Sequence, residues 1–152
     1  MTKIDFHKMT LSDLDEVMAV EVANYPVAWS KGVMKDCIKA GYQCIVVKQA
    51  ENIVGYAFLL VNPDEAHLLN MCIDHSVQSL GIGRKLLNYL ENICRYNQSK
   101  TFILEVRQSN PIAHALYQSF GFKDIGIRKN YYKTTEGREN AIVMKKQLTQ
   151  HN

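Results

Sequence analysis

A mixed β-sheet with helices packed on both faces, an α/β fold built as one domain, is what this sequence predicts. Three observations carry that expectation. Short segments that alternate apolar and polar residues interleave with segments whose apolar residues recur at helical spacing. The 152 residues, 47% of them hydrophobic, suffice for one sizeable core. No Pro/Gly/Ser-rich linker, internal repeat or low-complexity tract divides residues 1–152.

Residues 3–8 set Ile4 and Phe6 against Lys3, Asp5 and His7, the alternation of a half-buried strand. Thr10 or Ser12 then caps a helix running to about Asn24, with turns marked by Leu14, Val17, Met18 and Glu21. The stretch Tyr25-Pro26-Val27-Ala28-Trp29 breaks it, and Ser30 caps a second helix that Gly41 stops near Ala40. Residues 43–48 and 53–61 read as strands joined by a short polar turn, hence a hairpin. After Asn62-Pro63-Asp64, residues 66–74 form a further strand. A glycine-bearing turn leads into an amphipathic helix over 83–97, followed by a strand over 101–107. Asn110 is placed to cap a helix over 111–120, with Pro111 at its first position and Gly121 at its end. Residues 122–129 and 139–146 are expected to be strands flanking a polar, tyrosine-containing loop.

Composition narrows the function. A net charge of +3, with no basic run interleaved with aromatics, argues for no nucleic-acid partner. The N-terminus has no signal-peptide core and no apolar run approaches membrane-spanning length, so a cytoplasmic protein without membrane contact is expected. Cys37, Cys44, Cys72 and Cys94 lie far apart and read as reduced, small apolar residues. His67, His75 and His114 share no ligand spacing, so no metal is expected. Residues 1–30 carry two lysines against five acids, whereas 123–146 carry seven basic residues against three acids. The acidic end would suit a cationic substrate; equally, Asp13, Asp15 and Glu16 favour a helix N-terminus.

The segment Gln78-Ser79-Leu80-Gly81-Ile82-Gly83-Arg84 is the most informative. A glycine-punctuated turn feeding a helix start exposes unpaired N–H groups at the positive end of the helix dipole, a cradle for phosphate. Leu86 stands where a dinucleotide fingerprint needs its third glycine, and Arg84-Lys85 is not a Walker motif. The turn either holds a pyrophosphate through the N–H groups of 80–84 or is only a tight turn. Glu105 lies in Phe102-Ile103-Leu104-Glu105-Val106-Arg107, an apolar run typical of a strand covered on both faces. A carboxylate there costs stability unless it forms a structural pair with Arg107 or serves as a general base. Tyr117 follows Asn110 by seven residues, so both project from about the same side of their helix, Tyr117 as core or as proton donor. Trp29, Tyr131 and Tyr132 sit in broken or polar segments, where they line a binding surface or cover the edge of the core.

Together these segments resemble the GNAT N-acetyltransferase family, whose loop reads R/Q-x-x-G-x-G/A before a helix, and within it the ribosomal-protein alanine N-acetyltransferases. The resemblance is carried by Asn70-Met71-Cys72-Ile73-Asp74, the glycine loop, Leu104-Glu105-Val106-Arg107-Gln108-Ser109-Asn110, Ala115-Leu116-Tyr117 through Phe122, and Arg128-Lys129-Asn130-Tyr131-Tyr132. It implies acetyl-coenzyme A as co-substrate and direct transfer to an amine. In the family pattern the backbone of Met71, Cys72 and Ile73 pairs with the pantetheine arm and helps polarise the thioester carbonyl. Ser79, Leu80, Gly81, Ile82, Gly83 and Arg84 cradle the pyrophosphate, and Asn110 contacts the cofactor arm. Glu105 is the general base and Tyr117 protonates the departing thiolate. The implied acceptor is the N-terminal alanine of a basic protein, ribosomal protein eighteen of the small subunit, in a pocket lined by Trp29, Tyr131 and Tyr132. Ser79-Leu80 stand where the family often has Arg-Gln, and Ala28 and Lys133 where close relatives usually have proline. An acetyltransferase of the same fold acting on a small amine or antibiotic, or an inactive acetyl-coenzyme A-binding module, would share much of this pattern.

Overall fold

The computed structural model describes residues 3–78 and 80–148. Its strands are β1 (Ile4–Lys8), β2 (Gln43–Gln49), β3 (Asn52–Val61), β4 (Glu65–Ile73), β5 (Thr101–Arg107), β6 (Lys123–Thr134) and β7 (Gly137–Gln147). They form one sheet in the order β1-β2-β3-β4-β5-β7-β6, in which only β4 and β5 run parallel. The helices are α1 (Leu14–Asn24), α2 (Lys31–Lys39), α3 (Ile82–Tyr96) and α4 (Pro111–Ser119).

Alternation along the strands divides the core into two layers. Val46, Tyr56, Phe58 and Cys72 point to one face and pack with Leu14 and Val17 of α1 and Met34 of α2. Ala57, Leu59, Leu68 and Leu104 point to the other and meet Leu86 and Leu90 of α3 and Tyr117 of α4. In α3 the buried Ile82, Leu86, Leu87, Leu90 and Cys94 form one stripe, as the amphipathic spacing requires. The four cysteines are free and buried in these layers.

The feature that makes a site is an interruption between β4 and β5. Their ladder ends at Leu68–Leu104, although β4 continues to Ile73 and β5 to Arg107. The cause lies on the other side of β4. Its register with β3 steps from Phe58↔Asn70 to Leu59↔Leu68, so Leu69 is an extra residue, a bulge that bends the strand away from β5. Residues 69–73 therefore have a strand on one side only. Gly55 of β3 lets this splayed end approach closely: a Cβ there would lie 2.7 Å from the Cys72 carbonyl oxygen and 2.9 Å from Ile73 Cδ1. Gly55→Ala is expected to destabilise the fold by ~1–3 kcal/mol, the usual cost of overpacking, measured by denaturant titration.

Several expectations from sequence are corrected. A 3-10 turn, Leu11–Asp13, precedes α1, because the Thr10 backbone N–H donates to Asp13 Oδ2 at 2.8 Å and tightens the entry. Residues 130–134 are not a loop; β6 runs through them as an edge strand with a bulge between Arg128 and Tyr132. Strand β5 is not equally covered: Phe102, Leu104 and Val106 are buried, while Ile103, Glu105 and Arg107 occupy a half-buried face. The acids of the N-terminal third are largely engaged within the fold. Asp15 pairs with Lys31 at 2.6 Å, Glu16 accepts the Ile53 N–H at 2.7 Å, and Glu21 is buried.

Candidate active site

A cleft of about 520 Å³ opens where β4 and β5 part. Leu68, Asn70 and Met71 line one wall and Leu104, Glu105 and Arg107 the other. Asn110 and Tyr117 close it from α4, Trp29 from the segment between α1 and α2, and Tyr131 and Tyr132 from β6. Seven of the residues singled out from sequence thus share one cavity: Trp29, Met71, Glu105, Asn110, Tyr117, Tyr131 and Tyr132.

Glu105 has a side chain only 7% exposed. Its partner is not Arg107. His67 Nε2 lies 2.8 Å from Oε1 and 3.0 Å from Oε2, and the Tyr131 hydroxyl reaches Oε1 at 3.4 Å. Arg107 is engaged elsewhere: it pairs with Glu139 at 2.9 Å, donates to the Lys133 carbonyl at 3.1 Å and lies 4.3 Å from the Tyr132 ring centroid. Glu139 in turn accepts from the backbone N–H and hydroxyl of Ser109. These contacts tie the β6–β7 hairpin to the end of β5 and hold the tyrosine pair over the carboxylate. The bulge in β6 supplies the geometry, with Asn130 at φ 55°, a left-handed conformation that asparagine tolerates.

Tyr117 is 8% exposed and packs edge-on against Phe122. Burial first, and the neighbouring Cys72 second, push its phenol pKa well up, so it carries its proton throughout the neutral range. Asn110 caps α4 as expected, its Oδ1 accepting from the Ala113 N–H at 3.1 Å.

The glycine loop lies outside the cleft lining but delivers a helix N-terminus beside it. Gly81 is the N-cap of α3 with φ 76°, and Gly83 falls within the first turn. A Cβ at Gly83 would stand 3.1 Å from Leu116 Cδ2, so glycine keeps α3 close to α4. Ser79 lies outside the described residues. Leu80 is exposed, and the Arg84 side chain turns from the loop to donate to Ser119 Oγ at 2.7 Å. In the splayed part of β4, the Met71 carbonyl accepts from the Tyr25 hydroxyl at 2.7 Å and the Ile73 carbonyl from Gln78 Nε2 at 2.9 Å. The cradle suits a long, phosphate-bearing ligand: a strand end open on one side, followed by a helix start whose first N–H groups have no intrahelical acceptor.

Sequence reasoning missed three residues here. Glu21, 2% exposed, lines the cleft, accepts the hydroxyl of Tyr56 and Asn70 Nδ2, and holds the Trp29 backbone N–H at 2.8 Å. It anchors the break between α1 and α2. Its signal is a carboxylate on the apolar stripe of Leu14 and Val17. Tyr25 and His67 give no comparable signal. Asp74, at the end of β4, joins this frame to the glycine loop by accepting from Asn24 Nδ2 at 2.8 Å and from Ser76. Those bonds, Ser76 first and Asn24 second, hold its carboxyl below the usual carboxylate range. A depressed native pKa contributes stability that is complete above the unfolded value near ~4 and is lost as pH falls through the lower folded value. Melting curves of wild type and Asp74→Asn should therefore differ at neutral pH and converge in acid.

Comparison with known proteins agrees with this geometry. Residues 14–122 match the family described as Acetyltransferase (GNAT) family. A ribosomal protein bS18-alanine N-acetyltransferase of Haemophilus ducreyi is 41% identical over 133 residues, 87% of this chain and 92% of that protein. The Escherichia coli protein of the same description is 37% identical over 88% of this chain and 90% of its own length. The crystal structure of the ribosomal-protein-S18-alanine N-acetyltransferase from Escherichia coli superposes with a TM-score of 0.90, covering 99% of this chain and 97% of that one at 33% identity. A GNAT family acetyltransferase from Elizabethkingia anophelis with acetyl-CoA bound shares the fold, with a TM-score of 0.76, 19% identity and coverage of 95% and 98%. Over most of its length, in sequence and in sheet topology alike, the chain belongs to the GNAT acetyltransferase family.

Proposed function

We propose that this enzyme transfers the acetyl group of acetyl-coenzyme A to the N-terminal alanine of ribosomal protein bS18, acting in the cytoplasm. The observation that carries the reading is that Glu105 and Tyr117 line one cleft at the open end of β4, together with Trp29, Tyr131 and Tyr132. The relatives' acceptor supports the choice of amine.

Proton bookkeeping assigns the roles. An α-amine has a reference pKa near ~8, so at neutral pH most of it is protonated and cannot attack. Glu105 removes that proton. The backbone of Met71, Cys72 and Ile73 binds the pantetheine arm and helps polarise the thioester carbonyl, while Asn110 steadies the arm from α4. Ser79, Leu80, Gly81, Ile82, Gly83 and Arg84 hold the pyrophosphate, chiefly through main-chain N–H groups. Acetyl-coenzyme A supplies an activated acyl group; the chain supplies position and proton transfer. Tyr117 protonates the departing thiolate, and no acyl-enzyme on a cysteine is required. Trp29, Tyr131 and Tyr132 shape the acceptor pocket, Tyr131 from beside the base itself.

Incubation with labelled acetyl-coenzyme A and a panel of peptides and small amines, read by mass spectrometry, tests this. Label is expected on the α-nitrogen of the alanine-initiated peptide of bS18. Label confined to lysine side chains or small amines would overturn the acceptor assignment.

A further inference from the structure

Acetyl transfer from a thioester to an ammonium group releases one proton. The ammonium nitrogen loses two protons on becoming an amide; one ends on the thiol, and the other must reach solvent. If Glu105 is the base, as proposed above, that second proton starts on a side chain only 7% exposed, facing a cleft the acceptor itself fills.

We infer that His67 is the outlet for this proton. Its Nε2 stands within hydrogen-bond distance of both Glu105 oxygens, at 2.8 and 3.0 Å. It lies on β4 in the last paired stretch, opposite Ile103 of β5, and is not part of the cleft wall. Its side chain is 27% exposed, so solvent reaches the ring from outside the cleft. An acceptor that seals Glu105 from water on the cleft side leaves this second side open. Among the described residues, the titratable groups set against the carboxylate are the Tyr131 hydroxyl from β6, 3.4 Å from Oε1, and the Tyr132 phenol beside it.

The transfer balances as follows. Glu105 takes a proton from the acceptor ammonium and becomes a neutral carboxylic acid. It passes that proton to the bare Nε2 of His67 in its Nδ1–H tautomer, which becomes imidazolium while Glu105 returns to carboxylate. The imidazolium gives its Nδ1 proton to water. Once the product leaves and water enters the cleft, Nδ1 takes a proton from water while Nε2 returns its own to water by way of Glu105, which restores the starting tautomer with no net proton moved. Until then Nε2–H donates to the carboxylate and orients it. His67 never touches the acceptor or the thioester; it acts through Glu105.

Orientation and proton release are separable, because a glutamine at 67 offers a donor to Glu105 but cannot carry a proton. His67→Gln is expected to lower kcat at least ~10-fold, a fraction of the usual general acid–base contribution, with KM for the peptide within ~2-fold. The calorimetric Kd for acetyl-coenzyme A and the thermal midpoint should stay unchanged. In His67→Ala, added imidazole should raise kcat in proportion to its concentration. A His67→Gln kcat that falls less than ~10-fold, or a His67→Ala rate indifferent to imidazole, overturns the outlet. The parallel Glu105→Gln assay separates the two readings: an inactive Glu105→Gln beside a fully active His67→Gln removes only the outlet, whereas an active Glu105→Gln removes the base on which it rests.

Discussion

Glu105→Gln is expected to lower kcat by at least ~10²-fold while leaving acetyl-coenzyme A affinity unchanged, the scale on which general bases contribute. The substitution is nearly isosteric, so the wall of the cleft keeps its shape. The amide oxygen can still accept from Tyr131 and from the Nε2–H form of His67, both within reach of the native carboxylate. What it loses is proton affinity. With most of the acceptor amine protonated at neutral pH, an enzyme without a base works on the small neutral fraction alone. The loss should therefore shrink as pH rises past the amine pKa, because solution chemistry then does the deprotonation. Steady-state kinetics paired with calorimetry check this; unchanged turnover would remove Glu105 from the mechanism.

Tyr117→Phe should slow transfer by a comparable ~10²-fold with the fold intact. Tyr117 is both core and site. Its ring belongs to the layer under α3 and α4, packing 5.9 Å from the Phe122 centroid, while its residue lines the cleft. Phenylalanine retains the ring and its packing, so only the hydroxyl is lost. Burial keeps that hydroxyl protonated, as the proposed donor role requires. Unchanged turnover in a Tyr117→Phe enzyme with an unshifted thermal midpoint would mean that Tyr117 serves packing alone.

What sequence makes legible is whatever depends on local chemistry. Strand β5 has the predicted bounds, 101–107, and Asn110-Pro111 starts α4 as capping rules require. The glycine loop occupies its predicted junction between β4 and α3, where Gly81 enters the left-handed region with no Cβ to strain it. Less legible are features set by register. Nothing in residues 66–74 announces that Leu69 is a bulge, since an extra residue shows only against a partner strand, and yet that bulge opens the cleft. Tyr131 and Tyr132 read as loop because their neighbours are polar; an edge strand with solvent on one side has the same composition. Spacing along the chain tests His67 only as a metal ligand, whereas its partner is 38 residues away across a parallel ladder. Glu105 is visible as an anomaly in an apolar run. Its partner is not, because the natural guess, Arg107, is claimed by Glu139.

The central claim is that one cleft positions a thioester and an amino terminus against the same carboxylate. Its most direct test is the affinity of a conjugate in which coenzyme A is joined through an acetyl bridge to the α-nitrogen of an alanine-initiated bS18 peptide. Joining two ligands that occupy adjoining sites should tighten binding by ~10²-fold or more over either half. Calorimetry is predicted to show that gain in wild type. A conjugate that binds no more tightly than coenzyme A alone would contradict that claim.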